Sequence, residues 1–303
     1  MRTAYLGTSD FAATVLRRLS ADGEAPGLVV TPPDSRQGRG RKLAPPPLAE
    51  TARELGLELH QTPSVNEPES RRALAEFDPE VVIVCAFGQL IKEPLLSEHE
   101  LLNVHPSLLP RWRGAAPIER AMMAGDEVTG TTIMRVTAGL DSGPVALAER
   151  SPIGSEDYFD DVSARLAELS GTLLVRALEL KQAGDLAFTQ QDEAEATYAD
   201  KITAEERRLD PSRSAAELVW KVRALNPHIG TYVELEGGAR LGVRRAHAAE
   251  DGPGKGRIAE GDGVLLLGTV DSALALEQVQ PPGKRAMSAA EFVRGHPIPS
   301  RAV

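Results

Sequence analysis

The chain has 303 residues, 42% of them apolar and 26% charged, and a formal net charge of −10. This composition is globular, which excludes disorder as the main state, and the length suits one large domain or two ordinary ones. The acidic balance excludes a protein that coats nucleic acid by bulk charge, and no apolar run is long enough for a membrane helix.

The first 150 residues predict short strands alternating with helices. Residues 3–7 read as a strand, followed by a helix over 10–19 with Asp10 as its N-cap. The early turn to polar residues at Ser9-Asp10 lacks the apolar region of a signal peptide. A strand is predicted at 27–31, then a long loop over 32–47. That loop contains Arg36-Gln37-Gly38-Arg39-Gly40-Arg41-Lys42, with four positive charges. It reads either as a solvated loop or as a phosphate-binding arm, since guanidinium groups fork onto phosphate oxygens.

A helix near 48–55 and a strand near 58–61 follow. Val81-Val82-Ile83-Val84-Cys85-Ala86 is continuously apolar, as a strand buried on both faces must be. Further strands are predicted at 101–103 and 130–136. Together these elements predict a parallel, doubly wound α/β sheet. Val162, Leu166, Leu169, Leu173, Ala177 and Leu180 form one apolar helical face for packing on that sheet.

Residues 185–208 are polar and read as a linker. After a helix near 214–224, short β segments are predicted at 231–235, 240–247, 256–259, 263–267 and 273–280. Nine glycines fall between 237 and 268, which suggests a small barrel. The domain boundaries expected are 1–188, 189–208 for the linker and 209–303. Residues 204–303 carry 14 Lys/Arg and 13 Asp/Glu, so the acidic excess lies before them.

Several chemistries are excluded. Gly7-Thr8-Ser9-Asp10-Phe11-Ala12 lacks two glycines of a dinucleotide fingerprint, and neither a phosphate-binding P-loop nor a nucleophile elbow occurs. The six histidines have no metal-ligand spacing, so no metal is expected. The single cysteine, Cys85, suits a strand core and a reducing cytoplasm.

The densest polar cluster runs from Asn103 and His105 through Ser107 to Arg113. It follows a predicted strand, and open α/β sheets bind ligands at strand carboxyl ends. The i, i+2 spacing aims Asn103 and His105 the same way. Asp141, between Gly139 and Gly143, also follows a strand, and two adjacent strand ends would bring it to His105. An amide donor, an imidazole and a carboxylate suit acyl transfer to an amine. Asn103 and protonated His105 would hold the developing oxyanion. Asp141 would orient His105 and help take the amine proton. Taken singly, each of the three also reads as a structural residue.

On these residues the chain resembles the folate-dependent formyltransferases. The resemblance rests on Asn103-Val104-His105, Ser107-Leu108-Leu109-Pro110 and Leu140-Asp141-Ser142-Gly143. Ser107 through Ile118, the basic loop, Thr197-Tyr198-Ala199 with Lys201-Ile202, and Gly283 through Ser288 are similar to members that formylate methionyl-tRNA. Ser9, Pro106 and His228 stand where that group usually has Pro, often Gly, and an aromatic residue.

The resemblance implies a Rossmann-like formyltransferase domain followed by an OB-like barrel. It implies 10-formyltetrahydrofolate as co-substrate and methionyl initiator tRNA as acceptor, in the cytoplasm, for translation initiation. Nothing demands more than a monomer, and no membrane partner is expected. The family's catalytic residues fall on Asn103, His105 and Asp141. Its folate pocket falls on Phe87, Gly88, Gln89, Leu90 and Ile91, on Ser107, Leu108, Leu109 and Pro110, and on Gly139 and Leu140. Its tRNA-binding loop falls on Arg36, Arg39, Arg41 and Lys42. A small amine, either an amino sugar or glycinamide ribonucleotide, is the alternative acceptor.

Overall fold

Every residue of the first strand, β1 (Thr3–Gly7), is buried, as a central parallel strand requires. The structure is a computed structural model describing residues 1–37, 42–261 and 263–303. After β1 come α1 (Asp10–Ala21), β2 (Leu28–Thr31), β3 (Ser35–Gln37), β4 (Lys42–Ala44) and α2 (Pro47–Glu54). Next are β5 (Glu58–Gln61), α3 (Pro68–Phe77), β6 (Val81–Cys85), α4 (Leu95–Glu98), β7 (Leu101–His105) and β8 (Arg113–Gly114). Then follow α5 (Pro117–Met123), β9 (Val128–Arg135), β10 (Val145–Pro152), α6 (Phe159–Ala183) and β11 (Tyr198–Ala199). The chain ends with α7 (Ala215–Leu225), β12 (Thr231–Glu234), β13 (Arg240–Ala249), β14 (Ile258–Gly261), β15 (Val264–Gly268), β16 (Ala273–Gln280), β17 (Met287–Ser288) and α8 (Ala289–Gly295).

These elements form two units. One comprises Met1–Gly114, Val128–Pro152 and Ser163–Tyr198, the other Ala115–Glu127, Ile153–Val162 and Ala199–Val303. In the first, seven strands line up in the order β10-β9-β7-β6-β1-β2-β5. β5, β2, β1, β6 and β7 are parallel. β9 runs antiparallel to β7, and β10 antiparallel to β9. Alternate residues of the central strands serve opposite faces. Tyr5, Ile83, Cys85, Leu102 and Val104 pack with Val15, Leu16, Leu48, Leu174 and Leu178. Ala4, Leu6, Val82, Val84 and Leu101 pack on the other face with Leu74, Phe87 and Leu95. Burial pushes the Cys85 thiol up to about 12, so it stays a protonated core group.

Two sequence expectations change here. Ser9, not Asp10, takes the N-cap position of α1, with no side-chain cap bond. Asp10 is instead in the first helical turn, where a carboxylate still complements the helix dipole. The loop 32–47 also contains structure: β3 and β4 pair antiparallel, Arg36 opposite Leu43 and Gln37 opposite Lys42.

The second unit is an antiparallel sheet in the order β12-β13-β16-β15-β14, with β17 on β16. Its core joins Leu241, Val243, Leu265, Leu267, Leu274 and Leu276 to Leu218 and Val222 of α7 and Phe292 of α8. The last residues bridge the sheet's two edges: Ala302 pairs with Leu235 beyond β12, and Arg301 with Arg257 before β14. This pairing occupies edge hydrogen bonds that would otherwise recruit another chain. His228 stacks on Phe159 with centroids 3.7 Å apart, so this histidine does aromatic packing.

Candidate active site

Asn103 and His105 lie on β7, where the strand period puts both side chains on one face. His105 is 4% exposed and ends the strand. Because β9 is antiparallel to β7, Arg135 at its end lies opposite Leu102, at the far end of β7 from His105. Contrary to the expectation from sequence, the two strand ends therefore do not meet. Residues 136–144 instead bring Asp141 back to both β7 side chains. A side chain at Gly143 would run into the Arg135 carbonyl, so only glycine permits this return path.

Asp141 joins the set. Its Oδ1 accepts from Asn103 Nδ2 at 3.4 Å and its Oδ2 stands 3.7 Å from His105 Nδ1. Oδ2 also accepts from the Gly114 amide at 2.9 Å. His105 Nε2 is 2.9 Å from the Trp112 carbonyl oxygen. A carbonyl can only accept, so Nε2 carries a proton and Nδ1 is the ring atom turned to Asp141. An amide nitrogen has two N–H groups, so Asn103 retains one for a substrate oxygen.

The backbone here is held in an uncommon conformation. Four described non-glycine residues have positive φ, and three belong to this region: Ala86 (44°), Trp112 (63°) and Asp141 (45°). Such conformations persist where surroundings over-determine them, and they cluster at functional sites. The surroundings here are specific. Trp112 N–H donates to Thr197 Oγ1 at 2.9 Å, and Gln191 Nε2 donates to the Asp141 and Gly143 carbonyls at 2.8 and 2.7 Å. The sequence reading missed the Trp112 carbonyl and Gln191. The first is a backbone atom aimed by an unusual φ, and the second sits in a segment without periodicity.

The residues expected to hold folate lie on three loops. Phe87 is 3% exposed and its carbonyl accepts from Thr8 Oγ1, tying the turn after β6 to that after β1. Gly88 takes a left-handed φ of 74°. The Gln89 side chain accepts from Val65 N–H and donates to the Thr62 carbonyl, so it braces a neighbouring loop. Leu90 is 71% exposed, whereas Ile91 packs on the core. Ser107 is buried and donates to the Arg111 carbonyl; Leu109 N–H donates to Thr132 Oγ1. Leu108 lies against Gly130, and the Pro110 carbonyl accepts from Thr197 N–H. Next to Asp141, Leu140 is 61% exposed, and Gly139 lies against Ser142 Oγ. Arg36 on β3 and Lys42 on β4 are exposed. Arg39 and Arg41 lie outside the described residues.

Among the described residues no group of three His, Cys, Asp or Glu side chains could hold a metal ion, and no helix is long and apolar enough to cross a membrane. Residues 1–178 match the formyl transferase family and residues 201–297 match the formyl transferase C-terminal domain. The chain is 42% identical over 302 residues to a methionyl-tRNA formyltransferase of Marinobacter nauticus, covering 97% of this chain and 96% of that one. HypX from Aquifex aeolicus, solved with tetrahydrofolic acid, shares the fold with a TM-score of 0.64 at 20% identity, over 98% of this chain and 48% of that one. Glycinamide ribonucleotide transformylase 1 from Symbiobacterium toebii does so with 0.52 at 22% identity, over 63% of this chain and 94% of that one. The chain belongs to the formyl transferase family, and within it to the methionyl-tRNA formyltransferases.

Proposed function

We propose that this protein transfers the formyl group of 10-formyltetrahydrofolate to the amino group of methionyl initiator tRNA, in the cytoplasm and as a monomer. The observation that carries the reading is the convergence of Asn103, His105 and Asp141 in a chain alike over its full length to methionyl-tRNA formyltransferases.

The donor supplies an activated formyl carbon. As the amine nitrogen bonds to it, the carbonyl π electrons move onto oxygen; when they return, the bond from that carbon to N10 of the donor breaks, and N10 takes up the proton given by the amine and leaves as tetrahydrofolate. Asn103 Nδ2–H and, since Nε2–H is held by the Trp112 carbonyl, the Nδ1–H of protonated His105 hold that oxygen, and stabilisation of this kind is worth roughly 2.7–4 kcal/mol per donor. Asp141 keeps the imidazole turned to the reacting centre and takes the amine proton, directly or through water. An α-amino group titrates near 7.7–8.0 unperturbed, roughly, so little base strength is required. Leu90 and Leu140, large apolar side chains left 71% and 61% exposed, fit a flat heteroaromatic ring that would cover them. Ser107 through Pro110 complete the pocket as positioned backbone. Arg36 and Lys42, with Arg39 and Arg41, would meet tRNA phosphates.

A small-amine acceptor leaves the exposed Arg36 and Lys42 without a role. The test is transfer by the full chain to methionyl initiator tRNA and, in parallel, to glycinamide ribonucleotide. Formylation of the tRNA alone is expected. Formylation of only the small amine would reverse the acceptor assignment.

A further inference from the structure

Gln191 lies in the stretch the sequence marks as a linker, yet its amide is fully engaged beside the site. Its Oε1 accepts from Arg113 Nε at 3.0 Å and Nη2 at 2.9 Å. Its Nε2 donates to the Asp141 and Gly143 carbonyls. A guanidinium only donates and carbonyls only accept, so the amide has a single orientation. Arg113 is itself fixed. It is 1% exposed and makes a two-pronged pair with Glu193, Nη1 to Oε2 at 2.9 Å and Nη2 to Oε1 at 2.8 Å. A buried guanidinium without such partners is strongly disfavoured, so the Arg113–Gln191 pair is a rigid anchor.

We propose that Gln191 is a positioning residue for formyl transfer: it holds the carbonyls of residues 141 and 143 and thereby sets the place of the Asp141 carboxylate. The inference rests on Asp141 taking part in the reaction. Asp141 has a φ of 45°, uncommon for a non-glycine residue though more accessible to Asp than to most, and the two Gln191 hydrogen bonds fix the loop in it. Gln191 grips the backbone of the turn and leaves the carboxylate free to face Asn103, His105 and the Gly114 amide. A displacement of about 1 Å in a reacting group costs roughly 100-fold in rate.

The experiment is a double-mutant cycle by single-turnover formyl transfer to methionyl-tRNA. The variants are Gln191→Ala, Gln191→Glu, Asp141→Asn and Gln191→Ala/Asp141→Asn, each checked for folding by circular dichroism and thermal melting. Gln191→Glu keeps the oxygen facing Arg113 and removes both donors, so it isolates the grip on the loop if Gln191→Ala is unstable. Expected are a loss of kcat of about 100-fold in both Gln191 variants, little change in KM for tRNA, and almost no further loss from Gln191→Ala in the Asp141→Asn background. Wild-type kcat in Gln191→Glu would overturn the inference, as would an equal loss from Gln191→Ala with and without the Asp141 carboxylate. A full rate in Asp141→Asn would instead overturn the reading of Asp141 itself.

Discussion

Asn103 is half-buried on β7, with one N–H directed to Asp141 at 3.4 Å, so on the proposed reading its deletion mainly touches the reaction. Asn103→Ala is expected to lower kcat about 10²–10³-fold with little change in melting temperature; single-turnover rates alongside a thermal melt check both halves. An unchanged kcat would remove Asn103 from the oxyanion site. Much of this was legible in sequence. The i, i+2 pair on a strand declares a shared face, and a carboxylate between glycines declares a tight loop. The route by which they meet was not legible. It depends on β9 running antiparallel to β7, and residue types alone do not give strand direction. The Trp112 carbonyl was equally hidden, because it is aimed by a φ of 63° rather than by a side chain.

The helix expected near 214–224 is α7, Ala215–Leu225, one residue later at each end. Ser214 and Glu217 form a reciprocal capping box at the start of α7, Ser214 Oγ accepting from Glu217 N–H at 3.2 Å and Glu217 Oε2 from Ser214 N–H at 2.9 Å. Ser214→Ala is expected to destabilise the protein by about 1 kcal/mol, read as a lower denaturation midpoint in urea. Short pairings such as β3 with β4, or residues 301–302 with the sheet edges, have too few residues to show a period. Residues 205–207 form a helical turn held to α5 through Arg120 and Glu206, 2.5 Å apart. That hydrogen bond holds the Glu206 carboxyl at about 2, below its ordinary 4.5. The folded value is depressed, so the stabilisation is fully present above 4.5 and lost as pH falls toward 2. The melting-temperature gap between wild type and Glu206→Gln should therefore be widest above that window and close within it. A gap independent of pH would contradict the assignment.

For the whole molecule, a net charge of −10 and an RNA acceptor are compatible only if positive charge is concentrated where phosphates approach. Binding of methionyl initiator tRNA should weaken steeply with salt, and Arg36→Ala or Lys42→Ala should each reduce the log–log slope by about 1. Slopes unchanged in both variants would remove these two residues from the RNA interface. The two-part organisation was visible in sequence because hydrophobic runs give way to short glycine-spaced strands. The interleaving of the two units was not, since Ala115–Glu127 and Ile153–Val162 group with the later residues through contacts distant in sequence. The role proposed for Asn103, His105 and Asp141 is to carry formyl transfer to methionyl-tRNA. Its most direct test is single-turnover transfer by wild type and His105→Ala with saturating 10-formyltetrahydrofolate and methionyl initiator tRNA. The expected result is rapid transfer by wild type and a rate about 10²–10³-fold lower in the variant, with binding of the tRNA retained. Equal rates in a folded variant would contradict the account.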